Sequence, residues 1–215
     1  SVNRIAVPTL YGDLWVLDAT TGTSIYGNSP VFRFSADKKP IGAAPAIYKD
    51  GAGSMFAVVV SGGYVDDDGA SWSAGQQYIA SVKLDVAIGN VPFDERGADS
   101  SNRPFVIDIT GNAYAQPTIA GGELFVLTAT TDINDLDAGA GSGSLYRVNL
   151  TSGSSQTYAI GSSGGSSVDF SQGVAYVSGV VNNIKIDVSS DFDANGSPAE
   201  LQSVAKGLRR FWLAD

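Results

Sequence analysis

The stretch Tyr11-Gly12-Asp13-Leu14-Trp15-Val16-Leu17-Asp18-Ala19-Thr20-Thr21-Gly22 decides how this chain is read, because weaker copies of it recur downstream. It has the pattern of one strand followed by one turn. Gly12, Leu14 and Val16 alternate with Trp15 and Leu17, so both faces are apolar, as in a strand packed between neighbouring sheets. Asp18 to Gly22 closes it. An Asp carboxylate accepts bonds from backbone N–H groups two residues on, and Gly takes a positive φ without steric penalty.

Copies stand at Tyr78 to Gly89 and Gly143 to Gly153, with a degenerate one at Ile184 to Ser190. An earlier element precedes them: Ala44-Pro45-Ala46-Ile47, Gln116-Pro117-Thr118-Ile119 and, weakly, Ser166-Ser167-Val168-Asp169. Each is followed by a Gly-containing turn and an apolar run, Met55 to Val60, Leu124 to Leu127 and Val174 to Val177. The repeating unit is therefore strand, turn, strand, loop, strand, turn. Units fall at about 1–36, 43–109, 116–160 and 162–215. Repeats of this length, built from short antiparallel strands, are the signature of β-propeller blades. The expected fold is all-β: a partial propeller of three to four blades of four-stranded sheet, as one domain or as the C-terminal part of a larger propeller.

The opening unit has Arg4 to Pro8, the strand of the first stretch and an outer strand at Val31-Phe32-Arg33-Phe34, and it lacks the element that opens the others. Such a strand would come from the far end of the chain or from polypeptide before Ser1. Asp37-Lys38-Lys39-Pro40 reads as a solvated, charged turn. Two readings stay open near the end. Ser197-Pro198-Ala199-Glu200, with Gly207 as stop, has the form of a capped short helix; Glu200 to Val204 also suits an extended strand.

Composition excludes several functions. The net charge of −9 and pI near 4.3 disfavour a nucleic-acid partner, which demands a basic surface. No apolar run approaches the ~18 residues of a membrane span. The chain contains no Cys and no His, which removes thiolate chemistry, Ser-His-Asp triads, histidine acid/base work and ordinary zinc sites. Asp66-Asp67-Asp68 are too close in sequence to flank a glycosidic bond from both sides. The expectation is a protein that is not an enzyme.

Several segments together resemble one family. Arg4 to Asp18 is similar to the strand pattern R-x-Y-x-G-D-x-x-G-N-L-W-R-F-D of PilY1-like type IV pilus assembly proteins, whose C-terminal domain is a quinoprotein-like propeller. Ile41 to Ile47, Phe56 to Tyr64, Gln76 to Ala80 and Gly141 to Asn149 resemble further family segments in the same order, and Gly207 to Trp212 is loosely like the family's ending. The resemblance implies a non-enzymatic protein of the bacterial cell surface, acting in pilus assembly or in adhesion at the filament tip. Its implied partners are pilins, minor pilins and the preceding part of the same polypeptide. The family's calcium loop would end at the opening strand, where Asn3 alone matches a ligand. A quinone-dependent dehydrogenase has a similar repeat, but its tryptophan and vicinal disulfide are not found here; neither haem nor PQQ is expected.

Calcium is the cofactor that the loops suggest, since it takes hard oxygen ligands at alternate positions. Asp191, Asp193 and Asn195 before Gly196 match such a loop, although Gln202 stands where the bidentate Glu belongs; a capped turn is the competing reading. Asp132, Asn134 and Asp137 form a second candidate. Trp72, or Trp15, offers an aromatic platform for a rival function, a lectin-like or protein-binding propeller. A third is a structural subunit of an extracellular filament, whose incomplete ring leaves edges and apolar faces that need partners.

Overall fold

The computed structural model describes residues 3–34, 39–62, 77–85, 104–113, 115–129, 143–159, 169–171, 174–178, 183–187 and 201–203. These residues are all β, with no helix among them. Sheet 1 holds β1 (Arg4–Pro8), β2 (Asp13–Asp18) and β3 (Phe32–Arg33). Sheet 2 holds β4 (Ala46–Lys49), β5 (Met55–Val60), β6 (Gln77–Lys83) and β7 (Val106–Ile109). Sheet 3 holds β8 (Thr118–Ala120), β9 (Glu123–Ala129), β10 (Gly143–Asn149) and β11 (Ser155–Ala159). Sheet 4 holds β12 (Asp169–Ser171), β13 (Val174–Ser178), β14 (Asn183–Asp187) and β15 (Leu201–Ser203). In every sheet the strands lie side by side in chain order, each pair antiparallel, and no sheet closes on itself. This is the blade pattern that the repeats predict.

The strand of the opening stretch, β2, corresponds to the third strand of the four-stranded sheets, and the turn behind it shows why. Asp18 Oδ1 accepts the N–H groups of Thr20 and Thr21 at 2.7 and 3.0 Å, and Gly22 N–H donates back to the Asp18 carbonyl at 2.8 Å. Sheet 3 repeats the arrangement with Asn149, whose Oδ1 accepts Thr151 and Ser152 N–H at 2.9 Å each while Gly153 N–H returns to its carbonyl at 2.8 Å. One oxygen thus satisfies two backbone donors that the tight reversal leaves over. The equivalence aligns β2 with β10, and by sequence with β6, so sheet 1 has no counterpart of β4 and β8 among the described residues.

Sheet 2 lies between its neighbours. Its strands β5 and β6 are buried on both faces, which accounts for the unbroken run Phe56-Ala57-Val58-Val59-Val60. Ala57, Val59, Tyr78, Ala80 and Val82 pack with Leu14, Val16, Phe32 and Phe34 of the sheet 1 unit. The alternate residues Val58, Val60 and Ile79 pack with Leu124, Val126, Tyr146 and Val148 of sheet 3. Each fully buried Val or Leu contributes roughly 1.5–3 kcal/mol. Phe125, Leu127 and Leu145, on the other face of sheet 3, are buried too, so sheet 3 has cover on both sides.

Hydrogen bonds fasten the connections. Ile41 N–H donates to the Thr9 carbonyl at 3.1 Å and Gly62 N–H to the Pro40 carbonyl at 2.8 Å, tying the segment after sheet 1 to the β1–β2 turn and to the end of β5. Gly12 is required there: its φ is +79° and a Cβ would lie 2.5 Å from the Lys39 carbonyl oxygen. The Tyr26 hydroxyl, from the loop of sheet 1, donates to the Leu84 carbonyl at the end of sheet 2. Between sheets 2 and 3, Asn112 and Ala129 exchange N–H to carbonyl bonds of 2.8 and 2.9 Å.

Two local expectations change, and one open alternative is decided. Lys39 is not part of a solvated turn but buried, with Nζ 5.1 Å from the centroid of the Tyr78 ring, where its charge meets the ring face. Val31 and Phe34 are buried along with Phe32, so the outer strand of sheet 1 does not alternate cleanly; only Arg33 points out to water. Residues 201–203 are extended and paired with Ile186, Lys185 and Ile184. The helical reading therefore fails at these residues, because pairing with a sheet edge outweighs a local capping signal.

Candidate functional site

A cleft of about 540 Å³ opens between sheets 2 and 3 at the rim formed by the β4–β5 and β8–β9 turns and the turn after β10. Its apolar lining comes from Tyr48, Phe56, Ile119 and Leu150, with Lys49 and Asp50 at the mouth. Tyr48 and Phe56 are opposed on β4 and β5, and their rings stack with centroids 5.2 Å apart and planes 17° off parallel. The Tyr48 hydroxyl shares a 2.7 Å hydrogen bond with Ser81 Oγ. Burial pushes that phenol up from its ordinary pKa, against the Ser81 hydrogen bond, and Asp50 adds to the rise. It stays a neutral phenol through the physiological range.

Asp50 is committed to the turn rather than to the cleft. Its Oδ1 accepts the N–H groups of Ala52 at 3.0 Å and Ser54 at 2.8 Å. The cleft therefore has the chemistry of a binding surface: a paired aromatic wall and an apolar floor suited to the flat face of a sugar ring or to an apolar side chain, with one cation and one anion at the edge.

A polar cluster lies on the opposite face of sheet 3. Arg147 Nε donates to Glu123 Oε2 at 2.8 Å, with both side chains buried, and the Tyr158 hydroxyl donates to Gln156 Oε1 at 2.7 Å. Burial alone pulls the Arg147 guanidinium down, but its hydrogen bonds with Glu123 and Tyr158 outweigh it and the net shift is upward. This pair neutralises itself inside the stack. The sequence signal for Arg147 is only its place between Tyr146 and Val148; its burial depends on the pairing with Phe125 and Gln156, which the structure supplies.

No protein-family model matches the chain, and no curated protein does so either.

The residues that the sequence nominates lie elsewhere. Asp191, Asp193, Asn195, Asp132, Asn134, Asp137 and Trp72 are all outside the described residues. Among the described residues, no three Asp or Glu side chains gather as a metal site would need. Trp15 is half-buried on β2, on the face of sheet 1 turned away from sheet 2, and not in the cleft. The structure does bring together the roots of the two insertions. Gly62, which precedes residues 63–76, lies so close to Asn112 that a Cβ would stand 2.7 Å from its Oδ1, and Ala129, which precedes residues 130–142, is bonded to the Asn112 backbone. Asn112 Oδ1 is itself buried and has no hydrogen-bond partner among the described residues.

Proposed function

We propose that this chain is a propeller-type binding module of a bacterial cell-surface protein akin to the PilY1-like pilus proteins, working in type IV pilus assembly or tip adhesion through surface contacts and without catalysis. The observation that carries the reading is the placement of the resembling stretches. Arg4 to Asp18 supplies β1 and β2, Gln77–Lys83 is β6 and Gly143–Asn149 is β10. They take equivalent positions in successive sheets, as a quinoprotein-like repeat requires. The absence of His and Cys from the sequence and the commitment of Asp50 to its turn support binding over catalysis.

Immobilised chain incubated with purified pilins and minor pilins tests this proposal. Retention of a pilin by the chain, and its loss in a Leu150→Arg variant that fills the cleft, supports it; no retention of any pilin refutes the pilus assignment. The aromatic wall of Tyr48 and Phe56 favours a second reading, a lectin-like module. On a glycan array, binding that Tyr48→Ala abolishes would establish that reading. Calcium belongs to the same proposal. A ligand that binds the folded state alone raises its unfolding temperature by mass action, so a rise in millimolar calcium supports an ion in one of the Asp-rich loops and an unchanged midpoint removes it.

A further inference from the structure

The turn that follows β10 carries a chemical signal besides its geometry. Asn149-Leu150-Thr151 has the form Asn-x-Thr with x other than Pro, the triplet that N-glycosyltransferases accept. A second such triplet, Asn195-Gly196-Ser197, lies outside the described residues. The equivalent turn of sheet 1 has Asp18-Ala19-Thr20, with a carboxylate where the acceptor amide stands in sheet 3. The two turns fold alike, so the reversal does not need the Asn149 amide nitrogen.

The bonding of the turn leaves that nitrogen uncommitted. Asn149 Oδ1 takes the N–H groups of Thr151 and Ser152 at 2.9 Å each. A carboxamide carries its oxygen and nitrogen on opposite branches, so fixing Oδ1 against the backbone directs Nδ2 away from it. Ser152 Oγ donates to Ser154 Oγ at 3.0 Å and accepts the Ser154 N–H at 3.2 Å. Of the polar side-chain atoms of residues 149–154, this leaves Asn149 Nδ2 and Thr151 Oγ1, neither with a hydrogen bond among the described residues. Nδ2 is not one of the buried unpartnered atoms, so it reaches solvent, and Thr151 and Ser152 are exposed. The acceptor amide and the hydroxyl two residues on are the two groups by which the triplet is recognised.

We infer that Asn149 is an N-glycosylation acceptor, and that its co-substrate is a sugar activated by phosphate at the anomeric carbon. In the transfer Nδ2 bonds to the anomeric carbon, the bond from that carbon to the phosphate oxygen breaks, the phosphate leaves with the electron pair, and one Nδ2 proton passes to a base of the transferase. Only the nitrogen is substituted, so Oδ1 continues to hold the turn. Leu150 and Thr151 line the cleft beside Tyr48, which places the attached sugar at the cleft's edge. The inference rests on the turn and not on the pilus assignment, so the two fail separately.

The purified, folded chain tests it in two arms: one with a lipid-linked oligosaccharide and its membrane transferase, the other with a nucleotide-activated hexose and a soluble N-glycosyltransferase. Intact mass and sequencing of the Asn149 peptide are the readouts. A gain of one glycan on that peptide in either arm, lost completely in Asn149→Asp and in Thr151→Val, supports the inference, and the arm identifies the donor. Asn149→Asp keeps the Oδ1 acceptor, as Asp18 does in sheet 1, so its thermal midpoint should match that of the native chain and the loss reports the missing amide rather than a lost turn. An Asn149 peptide left unmodified in both arms overturns the inference, as does modification that survives Thr151→Val.

Discussion

Gly22 and Gly153 occupy the same place in the same turn, with φ of 71° and 72°, yet an alanine meets different surroundings at each. A Cβ on Gly22 finds nothing within 4 Å, whereas on Gly153 it would lie 2.8 Å from Cβ of Phe105. Left-handed backbone costs an L-residue ~1–2 kcal/mol, partly offset by ~0.4–1 kcal/mol from the stiffer unfolded chain. That leaves about 1 kcal/mol at either site. At Gly153 the clash is added. Phe105 belongs to the core between sheets 2 and 3, and its carbonyl accepts Ser81 N–H at 3.1 Å, so it cannot swing aside. Overpacking of this sort costs ~1–3 kcal/mol. Urea unfolding, followed by two spectroscopic probes to check that the transition is two-state, should find Gly22→Ala down by about 1 kcal/mol and Gly153→Ala by ~2–4 kcal/mol. A double-mutant cycle with Phe105→Gly, which removes the Cβ that the new methyl would strike, should recover the added part as a coupling between sheets 2 and 3. Equal losses at the two glycines, with no coupling to Phe105, would refute the packing of the sheet 3 turn against sheet 2.

Removing one member of the buried pair should be worse than removing both. Arg147→Leu leaves Glu123 as an uncompensated buried charge and should destabilise by ~3–5 kcal/mol, and Arg147→Leu with Glu123→Gln should recover a large part of that loss in the same unfolding assay; a double variant as unstable as the single one would contradict the pairing. Asp18 gives a pH dependence. Its carboxyl is held below the ordinary range first by the backbone N–H of Thr21 and then by that of Thr20. A folded pKa below the unfolded one contributes stability above the unfolded value, near 3.9, that is lost as pH falls through the folded value. Asp18→Asn keeps the acceptor, as Asn149 does in sheet 3, so its unfolding temperature should fall less steeply than that of the native chain below about pH 4; parallel curves would mean that the carboxylate does not hold the turn.

Backbone chemistry made the blades legible. Asp18 and Gly22, and Asn149 with Gly153, announce the same reversal because few other residues accept two N–H bonds or take positive φ, and the unbroken Val58-Val59-Val60 run announces a strand covered on both faces. What depends on distant partners was not legible. Lys39 reads as solvated until Tyr78 is brought beneath it. Gly62 is an ordinary turn glycine until Asn112 is seen against it. The cleft joins Tyr48 and Phe56 to Ile119 and Leu150 across two repeats, and no local pattern encodes that meeting. Alternation gives β2 two apolar faces, and only the structure shows that Leu14 and Val16 are buried while Trp15 and Leu17 are half-buried. At residues 201–203, a capping signal and an extended pattern competed in the sequence, and pairing with β14 settled it.

The ordered stacking of sheets, with sheet 2 between sheets 1 and 3, is tested most directly by methyl–methyl nuclear Overhauser contacts in selectively labelled protein. Val59 and Val82 should show contacts to Leu14 and Val16, and Val58 and Ile79 should show contacts to Leu124 and Val126. Direct contacts from Leu14 and Val16 to Leu124 and Val126, as a two-layer sandwich of sheets 1 and 3 would produce, would contradict it.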